Sequence, residues 1–142
     1  MPSMTLAQYD PLAAARINSF FAEHEPSVLA LLPKIRVVSG GRLVTWLGQG
    51  GLTLGFQVQV RDHYSEPPFT SFDRAILLAH ECVHVAQYAR YGMVGFFARL
   101  LWQMLTRISY ERTPIEREAE ELGYEFEWRM HSVYYNRGSA ET

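Results

Sequence analysis

The sequence predicts an α+β fold, and three stretches carry that prediction. Residues 52–61 alternate apolar and polar without a break, the period of a strand with one face buried. Residues 73–91 are apolar on nearly every face, as in a central buried helix. Thr113-Pro114 then opens a further helical segment, so helices lie on both sides of one β region instead of alternating with single strands. At 142 residues the chain is expected to form one domain, 1–142, with a polar tail from about residue 136.

Asp10-Pro11 is an N-cap followed by proline at the first helical position. Ala13, Ile17, Phe20 and Phe21 recur behind it at helical spacing, up to Pro26. Residues 35–39 and 42–47 flank Gly40-Gly41 and read as a tight hairpin. A flexible segment, 48–51, leads into the alternating strand, whose polar face would carry Thr53, Gly55, Gln57, Gln59 and Arg61. Ser71 or Asp73 is the expected cap of the helix 73–91, and Gly92 its C-cap. Residues 93–108 form a second apolar helix, and the last helix runs to about His131.

Composition narrows the function classes. The formal charge is −2, and Lys34 is the only lysine among thirteen basic residues, with the arginines scattered. Neither a nucleic-acid footprint nor a polybasic lipid-binding run is visible. Cys82 is the single cysteine, so no intramolecular disulfide can form. No apolar run is long enough for a transmembrane segment, and residues 1–10 lack the features of a secretory leader. A cytoplasmic setting is the expectation, with signal-independent secretion left open.

His80-Glu81-Cys82-Val83-His84 is the stretch that carries chemistry. Two histidines four apart on a helix project from one face and can grip one metal ion. The glutamate between them can reach a water on that metal. Without a metal, three polar side chains would need partners inside an apolar helix. Cys82 points away from the metal face and reads as a small core residue. Gln87, Asp73 and Tyr91 share the histidine face and could orient ligands or simply cap polar surface.

A catalytic site needs a third protein ligand. His24, His63, His131 and the acids of the last helix are the candidates. With Thr113 as N-cap, Glu116 falls at N3 and completes a capping box, which gives it a structural task. On a helical wheel, Ile115, Ala119, Leu122 and Phe126 lie within about 100° of Glu118, whereas Glu116, Glu120 and Glu127 lie opposite. Glu118 is therefore favoured as third ligand, with Glu125 weaker and an ion pair to Arg129 or another arginine as the alternative. His80, His84 and Glu118 would hold Zn2+, and Glu81 would act as general base on a metal-activated water. A protein or peptide substrate would lie extended along the strand 52–61 if that strand is an edge. Tyr110 is one tyrosine that could reach an oxyanion.

Three segments together resemble a known family: Leu52-Thr53-Leu54-Gly55, Leu78-Ala79-His80-Glu81-Cys82-Val83-His84-Val85-Ala86-Gln87-Tyr88, and Thr113-Pro114-Ile115-Glu116-Arg117-Glu118-Ala119. In this combination, over roughly residues 50–125, the chain resembles the minimal gluzincin-type zinc metallopeptidases. It is more closely similar to small bacterial domains predicted to be metallopeptidases, found alone or attached to contractile injection-system and toxin proteins. The resemblance implies a zincin-like α+β fold, with a small sheet beside the motif helix and the last helix closing the site. It also supports Glu118 as ligand. Larger gluzincins often place an aspartate four residues after the ligand glutamate, where this chain has Leu122. Two other readings remain: a metal-stabilised interaction module without turnover, docking a partner or a second copy through the apolar helix 93–108 or meeting a membrane interface with it, and a structural domain without metal.

Overall fold

A computed structural model describes residues 3–46, 50–106 and 113–140, with the backbone alone for 45–46 and 133–140. The expected flexible residues 48–49, the end of the second apolar helix beyond 106, and Tyr110 lie outside the described residues. The fold is α+β, mostly helical, with one mixed four-stranded sheet. Its strands are β1 (Met4–Thr5), β2 (Arg36–Ser39), β3 (Gly51–Leu54) and β4 (Gln57–Val60), in the order β1-β2-β4-β3. Strands β2 and β4 are parallel, and the other two pairs are antiparallel.

Helices α1 (Leu6–Tyr9), α2 (Pro11–His24) and α3 (Pro26–Leu29) open the chain. As expected, Asp10 caps α2, its Oδ1 accepting from Ala13 N at 3.0 Å. The same carboxylate accepts from Ser71 Oγ at 3.0 Å and Arg74 Nε at 2.8 Å, which fastens α2 to the start of the motif helix. From α2, Ala13, Ile17, Phe20 and Phe21 are buried in the main core.

Two strand expectations need correction. Residues 42–46 form a helix, α4 (Arg42–Trp46), and not the second arm of a hairpin. The reason lies in the sheet: β2 already has β1 on one edge and β4 on the other, so no edge remains for 42–47 to pair with. Val44 is fully buried within the helical turn instead. Second, residues 52–61 are two strands and not one. The chain reverses at Gly55-Phe56, where Gly55 has φ +64°, a value glycine adopts without steric cost. Reversal changes which residues share a face. Thr53 pairs directly with Val58, so it turns inward with Val58 and Val60, whereas a continuous strand would have turned it out.

The motif helix α5 (Ser71–Leu105) starts at Thr70, which forms a capping box with Asp73 and so takes the cap one residue before Ser71. Gly92 breaks it with φ 73° and ψ 168°, backbone values that are essentially glycine's own. Beyond the break, 93–105 swings back so that Phe96 stacks on Tyr88, with ring centroids 4.0 Å apart. The last helix, α6 (Pro114–Ala140), packs along α5 and runs further than the expected His131, through the start of the expected polar tail. Phe126 is fully buried and meets Phe20 edge-on at 5.3 Å. Among the described residues, no helix is long and apolar enough to cross a membrane.

The break at Gly92 gives a direct test. A Cβ placed there meets nothing within 4 Å, so the cost of Gly92→Ala is that of the backbone alone. Unfolding by urea should show a loss of about 1–3 kcal/mol. A loss below about 0.5 kcal/mol would mean that the helix reverses direction by some other means.

Candidate metal centre

His80 and His84 lie one turn apart on α5, their ring centroids 5.0 Å apart. The carboxylate that meets them comes from the first turn of α6, and it is that of Glu116. Its Oε1 lies 2.9 Å from His80 Nε2 and its Oε2 lies 3.0 Å from His84 Nε2. One ligating atom from each residue falls within 4.8 Å of the others. Glu116 and His84 are buried, and His80 is partly open to the cavity. Glu116 Oε2 is buried without a directed hydrogen bond although an imidazole nitrogen is close by. Such an oxygen, converging with two imidazole nitrogens, fits a metal ion.

Glu118, the favoured sequence candidate, is not in this group. Its Oε1 lies 3.5 Å from Arg90 Nη1 on a half-exposed surface, so the arginine alternative describes it, with Arg90 as the partner. The helical wheel shows why. The buried residues Ile115, Ala119, Gly123 and Phe126 centre about 90° from Glu118 and about 70° from Glu116, so both acids flank the core face almost symmetrically. What lies opposite each flank decides: the histidines face Glu116 and Arg90 faces Glu118. Gly123 lies seven residues after Glu116 on the same stripe, and a Cβ built there would sit 3.9 Å from His80. The capping role assigned to Glu116 is half present. Its backbone N donates to Thr113 Oγ1 at 3.3 Å, but its side chain goes to the histidines.

The other candidates lie elsewhere. His24 stacks on Phe20, with its Nε2 3.2 Å from Glu125 Oε1. His63 packs on Tyr64 and Phe69, and His131 sits beside Phe72. Arg129 pairs with Glu23. Cys82 is buried, and burial pushes its thiol far up, as befits a core residue. Asp73 serves the cap of α5, and Tyr91 lies under the Arg99 guanidinium.

Glu81 is held by the sheet. Its buried carboxylate accepts from Thr53 Oγ1 at 2.6 Å, and Thr53 O in turn accepts from Tyr88 Oη at 3.1 Å. Burial and the nearby Glu81 charge push the Tyr88 phenol up to about 12, so it stays a donor. Gly51 makes room: a Cβ there would lie 3.0 Å from Glu81 Oε1. A continuous strand would put Thr53 on the solvent side, and the reversal at Gly55 turns it toward Glu81 instead. Glu81, His80, His84 and Glu116 all border one cavity of about 320 Å3, walled by β3 on one side and by Phe96, Phe97 and Leu100 on the other.

Electrostatics bind the two helices. Burial alone would raise the Glu116 carboxyl, but His80 and His84 outweigh it and hold the group far below the usual carboxylate range. Burial alone would lower His84, but the close Glu116 carboxylate and the Glu81 charge outweigh it and raise the imidazole above its usual 6.5. A raised His84 stabilises the fold fully below pH 6.5 and loses that contribution as pH rises through its folded value. A depressed Glu116 contributes above pH 4.5 and loses that contribution as pH falls through its folded value. In chelator-treated protein, the stability advantage over Glu116→Gln should therefore be greatest between those two values. It should shrink by about 1–3 kcal/mol as the medium turns alkaline. Parallel stability curves for the two proteins would remove the pair as a source of stability.

Comparison of the chain with protein families, curated proteins and solved structures finds no match, so the chemistry of this site rests on its own geometry.

Proposed function

We propose that His80, His84 and Glu116 hold a divalent metal, zinc on the strength of two imidazole nitrogens and one carboxylate, and that the protein is a metallopeptidase. The observation that carries this reading is the second carboxylate. Glu81 borders the same cavity as the three candidate ligands, and Thr53 and Gly51 fix its position from the opposite wall. A metal bound there supplies an activated water and a Lewis acid for a carbonyl group. Glu81 is the general base: its carboxylate takes up a proton and passes it to the leaving amine. Thr53 holds one carboxylate oxygen, leaving Oε1 for that exchange.

The substrate is an extended peptide. Among the described residues β3 pairs with β4 alone, so its other edge is free to take a further strand beside the site. Facing it across the cavity, Phe96, Phe97 and Leu100 offer an apolar wall for a substrate side chain. A sheet edge beside the motif helix, with a ligand glutamate from a later helix, also supports the zincin-like reading of the fold.

A second reading, an interaction module stabilised by the metal, has one observation in its favour. Met93, Val94, Phe97, Leu101, Trp102, Met104 and Leu105 are all exposed, on about half the circumference of their helix. That is more apolar surface than contact with the motif helix uses, since Phe96 and Leu100 make that contact.

The readings separate by experiment. Wild type and Glu118→Ala should each retain about one Zn2+ after dialysis, whereas Glu116→Ala should lose it, as quantified by elemental analysis. Cleavage of a peptide library should fall about 10²–10⁴-fold in Glu81→Gln. It should fall at least about tenfold in Gly51→Ala, where the methyl group displaces Glu81 and leaves metal content unchanged. Metal without cleavage above Glu81→Gln would favour the interaction module, and a metal-free wild type would remove both readings.

A further inference from the structure

Gln87 lies one turn beyond His84 and is 1 % exposed, one of the most deeply buried polar side chains in the protein. Its amide touches two groups. Nε2 lies 2.9 Å from the carbonyl oxygen of Ile115, and Oε1 lies 2.8 Å from His84 Nδ1. A carbonyl can only accept, so the NH2 end must face Ile115. The amide oxygen, also an acceptor, is then left for His84, and Nδ1 must carry the proton. Reversing the amide would bring two buried oxygens to 2.9 Å with no proton between them, an arrangement that burial makes costly. With Nδ1 protonated, neutral His84 presents its lone pair at Nε2, the nitrogen 3.0 Å from Glu116.

Ile115 is the residue immediately before Glu116. One side chain therefore acts on both sides of the centre: it selects the tautomer of a ligand on α5 and tethers the turn of α6 that delivers the carboxylate. We propose that Gln87 is a positioning residue that prepares the site for metal in both ways. The inference rests on the metal reading above. In this chain the motif helix itself supplies the group that orients a ligand histidine.

The test uses the full chain with Zn2+ and Co2+ alone as probes. In chelator-treated wild type at about pH 9, where imidazole is neutral, ring 15N spectra should show His84 as the Nδ1–H tautomer. Gln87→Leu removes both hydrogen bonds. It should raise the Zn2+ dissociation constant about 10–100-fold and alter the visible absorption of the Co2+ form. Gln87→Glu keeps an acceptor for Nδ1–H but cannot donate to Ile115. It should retain the Nδ1–H tautomer and bind Zn2+ more tightly than Gln87→Leu. An Nε2–H His84 in wild type overturns the proposal, and needs no variant to fold. So does a Gln87→Leu protein that matches wild type in Zn2+ affinity within about twofold and in its Co2+ spectrum. Wild type that binds neither ion, with the tautomer as expected, removes the metal reading itself and is told apart by that combination.

Discussion

A carboxylate buried between two imidazoles, at the contact of two helices, is the constraint on which the rest depends. Glu116 cannot be left there without partners, because an isolated buried carboxylate is far costlier than a surface one. Its position requires α6 to approach α5 closely, which Ala119 and Gly123 permit by presenting almost no side chain. It also requires α6 to begin where it does. Thr113 accepts from the Glu116 amide, and Gln87 accounts for the Ile115 carbonyl one residue earlier. Polar groups inside a contact of this kind define one register of the two helices, since any slip leaves several of them unsatisfied.

The fold builds the opposite wall by a separate route. The parallel pairing of β2 with β4 places the β3–β4 hairpin so that β3 becomes the edge strand above the motif helix. Thr53 then meets Glu81 through its hydroxyl and Tyr88 through its carbonyl. Tyr88 is held in turn by stacking on Phe96, which reaches it only because Gly92 turns the chain back. Residues of β3 and of both arms of α5, spread from 51 to 96, thus converge on one glutamate.

How far the sequence made this legible follows the range of the interactions. Local signals were readable: Asp10 as a cap, Gly92 as a helix end, the histidine pair from its spacing, the apolar character of α5. A helical wheel also found the core face of α6, but it could not choose between Glu116 and Glu118. That choice depends on whether histidines or Arg90 lie across the gap, which periodicity within one helix does not contain. Arg42–Trp46 failed for a related reason. Its apolar residues suit either a strand or a buried turn, and the sheet's pairing order, a non-local fact, decides. Alternation at 52–61 is unbroken in the sequence even though the turn pairs Leu54 with Gln57 and so puts the apolar residues of the two arms on opposite faces, which leaves Gly55 as the local mark of the reversal.

The two walls share little beyond the motif helix, and that separation has a functional meaning. The candidate ligands are fixed by α5, α6 and Gln87, whereas Glu81 is fixed by β3 through Thr53 and by the space at Gly51. A site that only bound a metal for stability would need the first set alone. Nothing in the packing of α5 against α6 demands that Glu81 be buried facing a cavity, held by a 2.6 Å hydrogen bond from a residue of an edge strand. An alanine at that position would satisfy the helix equally well. Burial of a carboxylate is costly, and here it sits beside the candidate ligands in the same cavity, where the proposed hydrolysis would need a proton acceptor. That arrangement favours turnover over a purely structural metal site.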